Sequence, residues 1–196
     1  MQLQVTHAAF AALLVGLSGP AFAATMSAPM KQPMSAQTIM VGRAPMYPSR
    51  NIVQNAVHSK DHTTLVALVK DAGLVKALEG PGPFTVFAPT NEAIADLPPA
   101  TVRDLQKPAN KAELVKILEY HVVPGDYDTL KIRSMILAGG GHATLKTLEG
   151  GTLALMMNGS SNIQVEDEKG DIADITIADV RQSNGVIQVI DHVLMP

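Results

Sequence analysis

His58 and His62 stand four residues apart, the spacing at which two imidazoles on one helix face can share a zinc or copper ion. Asp61 is itself a candidate helix start, which places the two rings on different elements, and no Glu follows His58 to act as a base; the pair reads as a surface turn. Met26, Met30 and Met34 offer soft thioethers that suit Cu(I) outside the cytoplasm, but without a preformed geometry such ligands hold a metal weakly. Tyr120 and His121 put a phenol beside an imidazole. His121 shares helical spacing with Leu114, Ile117 and Leu118, so a packed ring and a satisfied core histidine are expected there. Asp191 and His192 are adjacent on a candidate strand, where neighbouring side chains point to opposite faces, so they are not expected to form an acid–base pair. Gly139-Gly140-Gly141 lacks the Lys-Ser/Thr ending of a phosphate loop and precedes a strand rather than a helix. Asn158-Gly159-Ser160 is a glycosylation sequon, meaningful only in a eukaryotic secretory route. No Gly-x-Ser-x-Gly elbow and no nucleophile–base set is visible; catalytic residues, a resident metal and a cofactor are not expected, and the chain does not read as an enzyme.

Composition narrows the partners. Apolar residues make up 46% of the 196, enough for a substantial core, and no internal repeat is visible. The formal charge of -3, with no basic block, argues against a nucleic-acid partner. The lack of cysteine removes disulfides, thiolate catalysis and thiolate metal sites. Ala8 to Leu17 is an apolar run of signal-peptide length, too short to span a bilayer, broken by Gly19-Pro20 and followed by the small-x-small cleavage pattern Ala21-Phe22-Ala23. Residues 1–23 are therefore expected to be removed, leaving a secreted, periplasmic or cell-surface monomer with no membrane span. Met1 to His7 carries no Lys or Arg, and an uncleaved anchor is the alternative.

The elements follow from period and punctuation. Residues 24–47, with three prolines among Ser, Ala and Gln, read as a disordered Met/Pro-rich linker, and residues 48–196 as the domain. Ser49 is a candidate N-cap for a helix with Ile52, Val53, Ala56 and Val57 on its apolar face. A second helix starts near Asp61 or Thr63, is interrupted at Gly73 and stops at Gly80. Phe84–Ala88 is a strand apolar on both faces and ended by Pro89; Thr90 or Asn91 caps a short helix closed by Pro98-Pro99. Asn110 with Glu113 resembles a capping box opening the helix of Leu114, Ile117 and Leu118. Strands are predicted at 142–145, 152–157, 163–166, 172–178 and 186–194, with turns at Gly150-Gly151, Asn158-Gly159 and Asn184-Gly185. The last strand, apolar on both faces, should be central. Helices in the first half and strands in the second make the fold class α+β.

Three blocks in this order, Phe84-Thr85-Val86-Phe87-Ala88-Pro89-Thr90-Asn91-Glu92-Ala93-Ile94, Tyr120-His121-Val122-Val123-Pro124-Gly125, and Asn184-Gly185-Val186-Ile187-Gln188-Val189-Ile190-Asp191-His192-Val193-Leu194, resemble the signature stretches of the fasciclin-like family, and the resemblance spans about residues 47 to 196. It implies a wedge of β-strands packed with several helices, in a secreted or surface protein that makes cell–cell, matrix or symbiotic contacts without catalysis. The implied partner is a protein or polysaccharide of the cell surface or matrix. In animal members the Tyr-His block is tied to integrin binding, which maps onto Tyr120, His121, Val122 and Val123. Phe87, Pro89, Thr90, Asn91, Asn184, Gly185 and His192 match family positions expected to be structural. Gln188 stands where the family often has His, so a role resting on an imidazole does not transfer, whereas Gln still serves a neutral hydrogen bond. The alternative function is an envelope ligand- or copper-binding stress protein using a pocket or the Met-rich tail.

Overall fold

The computed structural model describes residues 38–196. The expected signal peptide and Met26, Met30 and Met34 lie outside these. The strands are β1 (Ile39–Val41), β2 (Ala44–Met46), β3 (Phe84–Pro89), β4 (Val122–Pro124), β5 (His142–Lys146), β6 (Thr152–Asn158), β7 (Asn162–Glu166), β8 (Ile172–Gln182) and β9 (Gly185–Ile190). The helices are α1 (Ile52–Ala56), α2 (Thr63–Ala72), α3 (Val75–Leu78), α4 (Asn91–Ala95), α5 (Pro99–Leu105), α6 (Lys111–Tyr120) and α7 (Thr129–Ala138). The α+β class and the distribution of helices and strands are as the sequence indicates.

Seven strands form one sheet in the order β4-β3-β9-β8-β7-β6-β5. Its pairs are antiparallel except β3 with β9, which run parallel in the register Val86↔Ile187, Phe87↔Gln188, Ala88↔Val189. β9 is central, as its apolar faces require. Period two sends alternate residues of this pair to different cores. Phe87 and Ile190 join the core under α7, with Tyr120, Val123, Ile132, Ile136 and the inward residues of β5 to β8. Val86, Ala88, Ile187 and Val189 join a second core closed by β1, β2 and α1. A third cluster, around Leu68, Ile94, Leu114 and Leu118, binds α2, α4, α5 and α6 to one another. The sheet curls until its ends meet: just after β5, the Leu148 amide donates to the Val122 carbonyl in β4 at 2.8 Å.

Asn184 and Gly185 let β9 enter beside β3. A Cβ on Gly185, at φ +155°, would stand 2.0 Å from the Phe84 carbonyl oxygen. The buried Asn184 accepts from the Ile52 amide at 3.0 Å and donates to the Leu78 and Gly80 carbonyls at 2.8 and 2.9 Å, tying α1 and α3 to the β8–β9 turn. Thr90 caps α4 through the Ala93 amide, as expected. Asn91 instead serves its neighbour: its oxygen accepts from the Thr64 amide at the start of α2 and its nitrogen donates to the Lys60 carbonyl. Gln188 is fully buried and donates to the Tyr127 carbonyl and the Asp179 carboxylate while accepting from the Asp179 amide.

Several expectations are corrected. Residues 39–46 are not linker but a hairpin, because Val41, Ala44 and Met46 find a buried place in the second core. Asn51, not Ser49, caps α1, in a reciprocal capping box with Gln54. Asn110 makes no such box; its side chain donates to the Asp104 carbonyl. Pro98-Pro99 does more than close α4, since Pro99 is the first residue of the unpredicted α5, where its missing N–H costs nothing. α7 was likewise unpredicted. β8 runs on to Gln182, and β9 stops at Ile190 rather than Leu194.

Asn184→Ala strips partners from one amide and two carbonyls and is expected to cost about 3 kcal/mol or more in urea denaturation. Gly185→Ala should cost at least as much, because its Cβ displaces the Phe84 backbone. A loss of less than about 1 kcal/mol for both would show that the β8–β9 turn does not set the sheet.

Candidate functional site

α6 buries Leu114, Ile117 and Leu118 on one face and ends at Tyr120. Tyr120 is 0% exposed; its hydroxyl donates to the Thr152 carbonyl at 2.9 Å and accepts from the Glu168 amide at 3.1 Å. Burial, with nearby Glu168, Asp167 and Glu149, pushes its phenol up to about 12, so it stays neutral. His121 is 3% exposed. Its Nδ1 lies 2.8 Å from the Ile117 carbonyl and its Nε2 accepts from the Leu194 amide at 3.0 Å. Both partners are satisfied by one neutral tautomer, with the proton on Nδ1. Burial brings its pKa down to about 4 against the smaller opposing pull of the Ile117 carbonyl and Asp167. Val122 turns into the second core and Val123 into the first.

The structure therefore places Tyr120, His121, Val122 and Val123 inside the domain. They join α6 to β4, and His121 also holds the last segment through Leu194. All four side chains are buried, so the surface they offer a partner in the intact domain is small. The buried reading of Tyr120 and His121 agrees with their helical spacing.

The other histidines fall out differently. His58 is exposed and bonds the Gln54 carbonyl at 2.8 Å. His62 is not a surface residue: it is 4% exposed, its Nδ1 is 2.9 Å from Ser59 Oγ, and its Nε2 has no hydrogen-bond partner. Burial lowers its pKa. Among the described residues no group of three His, Cys, Asp or Glu could hold a metal ion together. His192, expected to be structural, is exposed; because β9 has already ended, its ring meets the Asp191 carboxylate at 3.0 Å. Asp191 also accepts from the Asp174 amide at 2.7 Å.

Two surfaces stand out. Leu130 and Leu137 are 74% and 79% exposed, one heptad apart on one face of α7, while Ile132 and Ile136 on its other face are buried in the first core. Two carboxylates hold the start of this helix. Asp128 accepts from the Lys131 amide at 2.8 Å, and Asp179 accepts from the Thr129 amide at 2.8 Å. Asp179 sits at a bulge of β8 with φ +57°, a conformation Asp tolerates better than most residues. The second feature is an apolar cavity of about 90 Å³ beneath α1, α2 and α3, floored by Val86 and Ile187. The sequence singled out neither.

Two stability measurements follow from the buried pair. Tyr120→Ala should cost roughly 3–5 kcal/mol, the range for large aromatic truncations, with Tyr120→Phe losing only the hydroxyl's share. His121 titrates near 6.5 when unfolded and near 4 when folded, so between these values the unfolded chain binds more protons. Stability is full above about pH 6.5 and falls as pH drops toward 4, by about 2 kcal/mol at pH 5. Denaturation midpoints across this range should show that slope in the parent and a much flatter one in His121→Gln; equal slopes would assign the pH dependence elsewhere.

Comparison with known proteins gives a consistent result. A family model described as the fasciclin domain matches residues 60–196. The chain is 41% identical over 162 residues to Protein sll1483 of Synechocystis sp., covering 82% of this chain and 81% of that protein. It is 39% identical over 134 residues to transforming growth factor-beta-induced protein ig-h3 of Sus scrofa, covering 67% of this chain but 17% of that longer protein. A solved domain pair from the insect cell adhesion molecule Fasciclin I shares the fold with a TM-score of 0.67 at 18% identity, over 75% of this chain and 51% of that one. With its signature residues placed at the β3–β9 pair and the α6–β4 junction, and with these relatives, the chain belongs to the fasciclin-domain family.

Proposed function

We propose that this protein is an exported, non-catalytic interaction module of the adhesion and matrix type, and that the outer face of α7 carries its contact with a protein partner. The observation that carries the reading is the exposure of Leu130 and Leu137 on a helix whose other side is buried in the core through Ile132 and Ile136. Two large aliphatic side chains on a fixed face supply the apolar centre of a protein contact, while Lys131 and the Arg181 pairs with Asp126 and Asp128 supply a polar rim. Among the described residues no helix is long and apolar enough to cross a membrane, and export rests on the leader-like Ala8–Leu17 run and its cleavage pattern. The non-catalytic reading is supported by the way three buried titratable side chains, Tyr120, His121 and Asp167, are engaged. Tyr120 and His121 bond backbone groups, and Asp167 accepts from the Lys169, Asp171 and Met195 amides.

This reading also gives the Tyr-His block a route to the contact face that requires no touch of a partner. β4 continues into the loop that Thr85 anchors, its hydroxyl donating to the Gly125 carbonyl and accepting from the Tyr127 amide, and that loop delivers α7. A disturbed Tyr120 or Val123 loosens the core on which Ile132 and Ile136 rest.

The test is capture of envelope and matrix proteins by the parent and by the Leu130→Lys, Leu137→Lys double variant, with bound proteins identified by mass spectrometry. The parent should retain a saturable protein partner and the double variant should lose it, with stability changed by no more than about 0.5 kcal/mol. Equal capture by both would move the contact off α7, and retention of polysaccharide alone would count against the apolar face.

A further inference from the structure

The cavity beneath α1, α2 and α3 is unusual for a protein interior, where voids larger than a water molecule are few. At about 90 Å³, against the 10–15 Å³ that accommodates one water, it has room for roughly six water-sized groups. Water would gain little there. A buried water needs two to four polar partners, and two of the buried polar residues that border the cavity are already committed: Ser59 to the His62 ring, and both His121 nitrogens to backbone groups. His62 Nε2 is unpartnered, but it is a single atom in an otherwise apolar wall. Aliphatic groups form most of the remainder, from Val86 and Ile187 at the floor to Val53, Val66 and Val75, which are half-buried and carry the apolar lining outward toward solvent.

A charge stands at this opening. Lys70, in the last turn of α2, borders the cavity, is exposed, and takes part in none of the ion pairs among the described residues. Glu119 also borders the cavity and repels an anion, so an anionic head group has its place on the Lys70 side. We propose that the cavity is a binding site for a fatty acid, with the end of one unbranched acyl chain filling the apolar volume and the carboxylate paired with Lys70. The gain from the chain is apolar area removed from water together with dispersion contacts that the empty wall lacks. The head-group contribution is small, because the pair forms at an exposed amine. The site is independent of α7, whose buried residues rest on the other core.

Delipidated full-length protein is titrated with dodecanoate and, separately, with dodecanol by calorimetry, using the parent, Lys70→Met, Ala56→Phe and Ala77→Phe. Ala56 is half-buried in the cavity wall and Ala77 is an exposed wall residue on α3, so the second Phe variant reads the site should the first fail to fold. Saturable one-to-one binding of dodecanoate is expected, weakened at least tenfold by a Phe variant that stays folded. Lys70→Met should weaken dodecanoate roughly two- to fivefold and leave dodecanol unchanged. No saturable binding by the parent, or binding that survives a folded Phe variant, overturns the cavity as the site. Equal losses of acid and alcohol in Lys70→Met overturn the assignment of the head group.

Discussion

The parallel pairing of β3 with β9 is the constraint to which the rest of this domain is referred. These strands lie far apart in sequence, and a parallel pair needs a long connection, which here contains most of the other elements of the domain. Both strands are covered on both faces. A slip of one residue in β3 would send Phe87 to the core that receives Val86 and Ala88, and bring Val86 into the space under α7. The register thus fixes two cores at once. That is why the approach of β9 tolerates no side chain at Gly185, and why Asn184 is bound on three sides at the entry.

Around this pair, buried and half-buried polar side chains act as cross-links between segments. Asn55 bonds both backbone groups of Tyr47, fixing the exit of the β1–β2 hairpin to α1. Asn91 joins α4 to the start of α2, Gln188 joins β9 to the Asp179 bulge, and His121 joins α6 to the last segment. Each is satisfied mainly by backbone groups, which a substituted residue cannot move out of the way. Apolar packing alone accepts many near-equivalent arrangements, whereas a buried amide or imidazole with two or three fixed partners accepts few. Tyr120, His121, Asn184 and Gln188, all within the signature blocks, are thus held by contacts inside the wedge, whereas His192 stands at its surface.

Much of this was legible in the sequence, for identifiable reasons. Strands β3 and β9 are apolar on both faces, Thr90 is a capping residue directly after a proline, and Tyr120 and His121 follow Leu114, Ile117 and Leu118 at helical spacing; each is a local signal that the tertiary structure reinforces. The β1–β2 hairpin was hidden because three-residue strands containing Pro45 have no local reason to form, and their stability comes from burying Val41 and Met46 against distant strands. The cap of α1 was readable in principle: Asn51 with Gln54 completes a box that Ser49 does not. α7 carries Asp128 at its cap, but Leu130 and Leu137 on one side and Ile132 and Ile136 on the other blur its apolar stripe, and that ambiguity is the signature of its exposed face. The Asp179 bulge and the cavity are products of how whole elements pack, and no short pattern encodes either.

The division into two cores also separates the two proposed surfaces. α7 rests on the core that contains Phe87 and Ile190, and the cavity opens on the side of Val86 and Ile187, so the two lie on opposite faces of the β3–β9 pair. Lysines at positions 130 and 137 alter the outside of one face, and a phenylalanine at 56 or 77 fills space against the other. Sites that share no partner residues usually respond additively. Loss of partner capture with lipid binding intact, or the reverse, can then be assigned to a single surface. The nearest covalent link between them is in β8, where Asp179 holds the start of α7 and the next residue, Val180, lines the cavity wall. A guest that displaced Val180 would act on α7 through that peptide unit, so a double-variant cycle between Ala56→Phe and Leu130→Lys measures how rigid the bulge is.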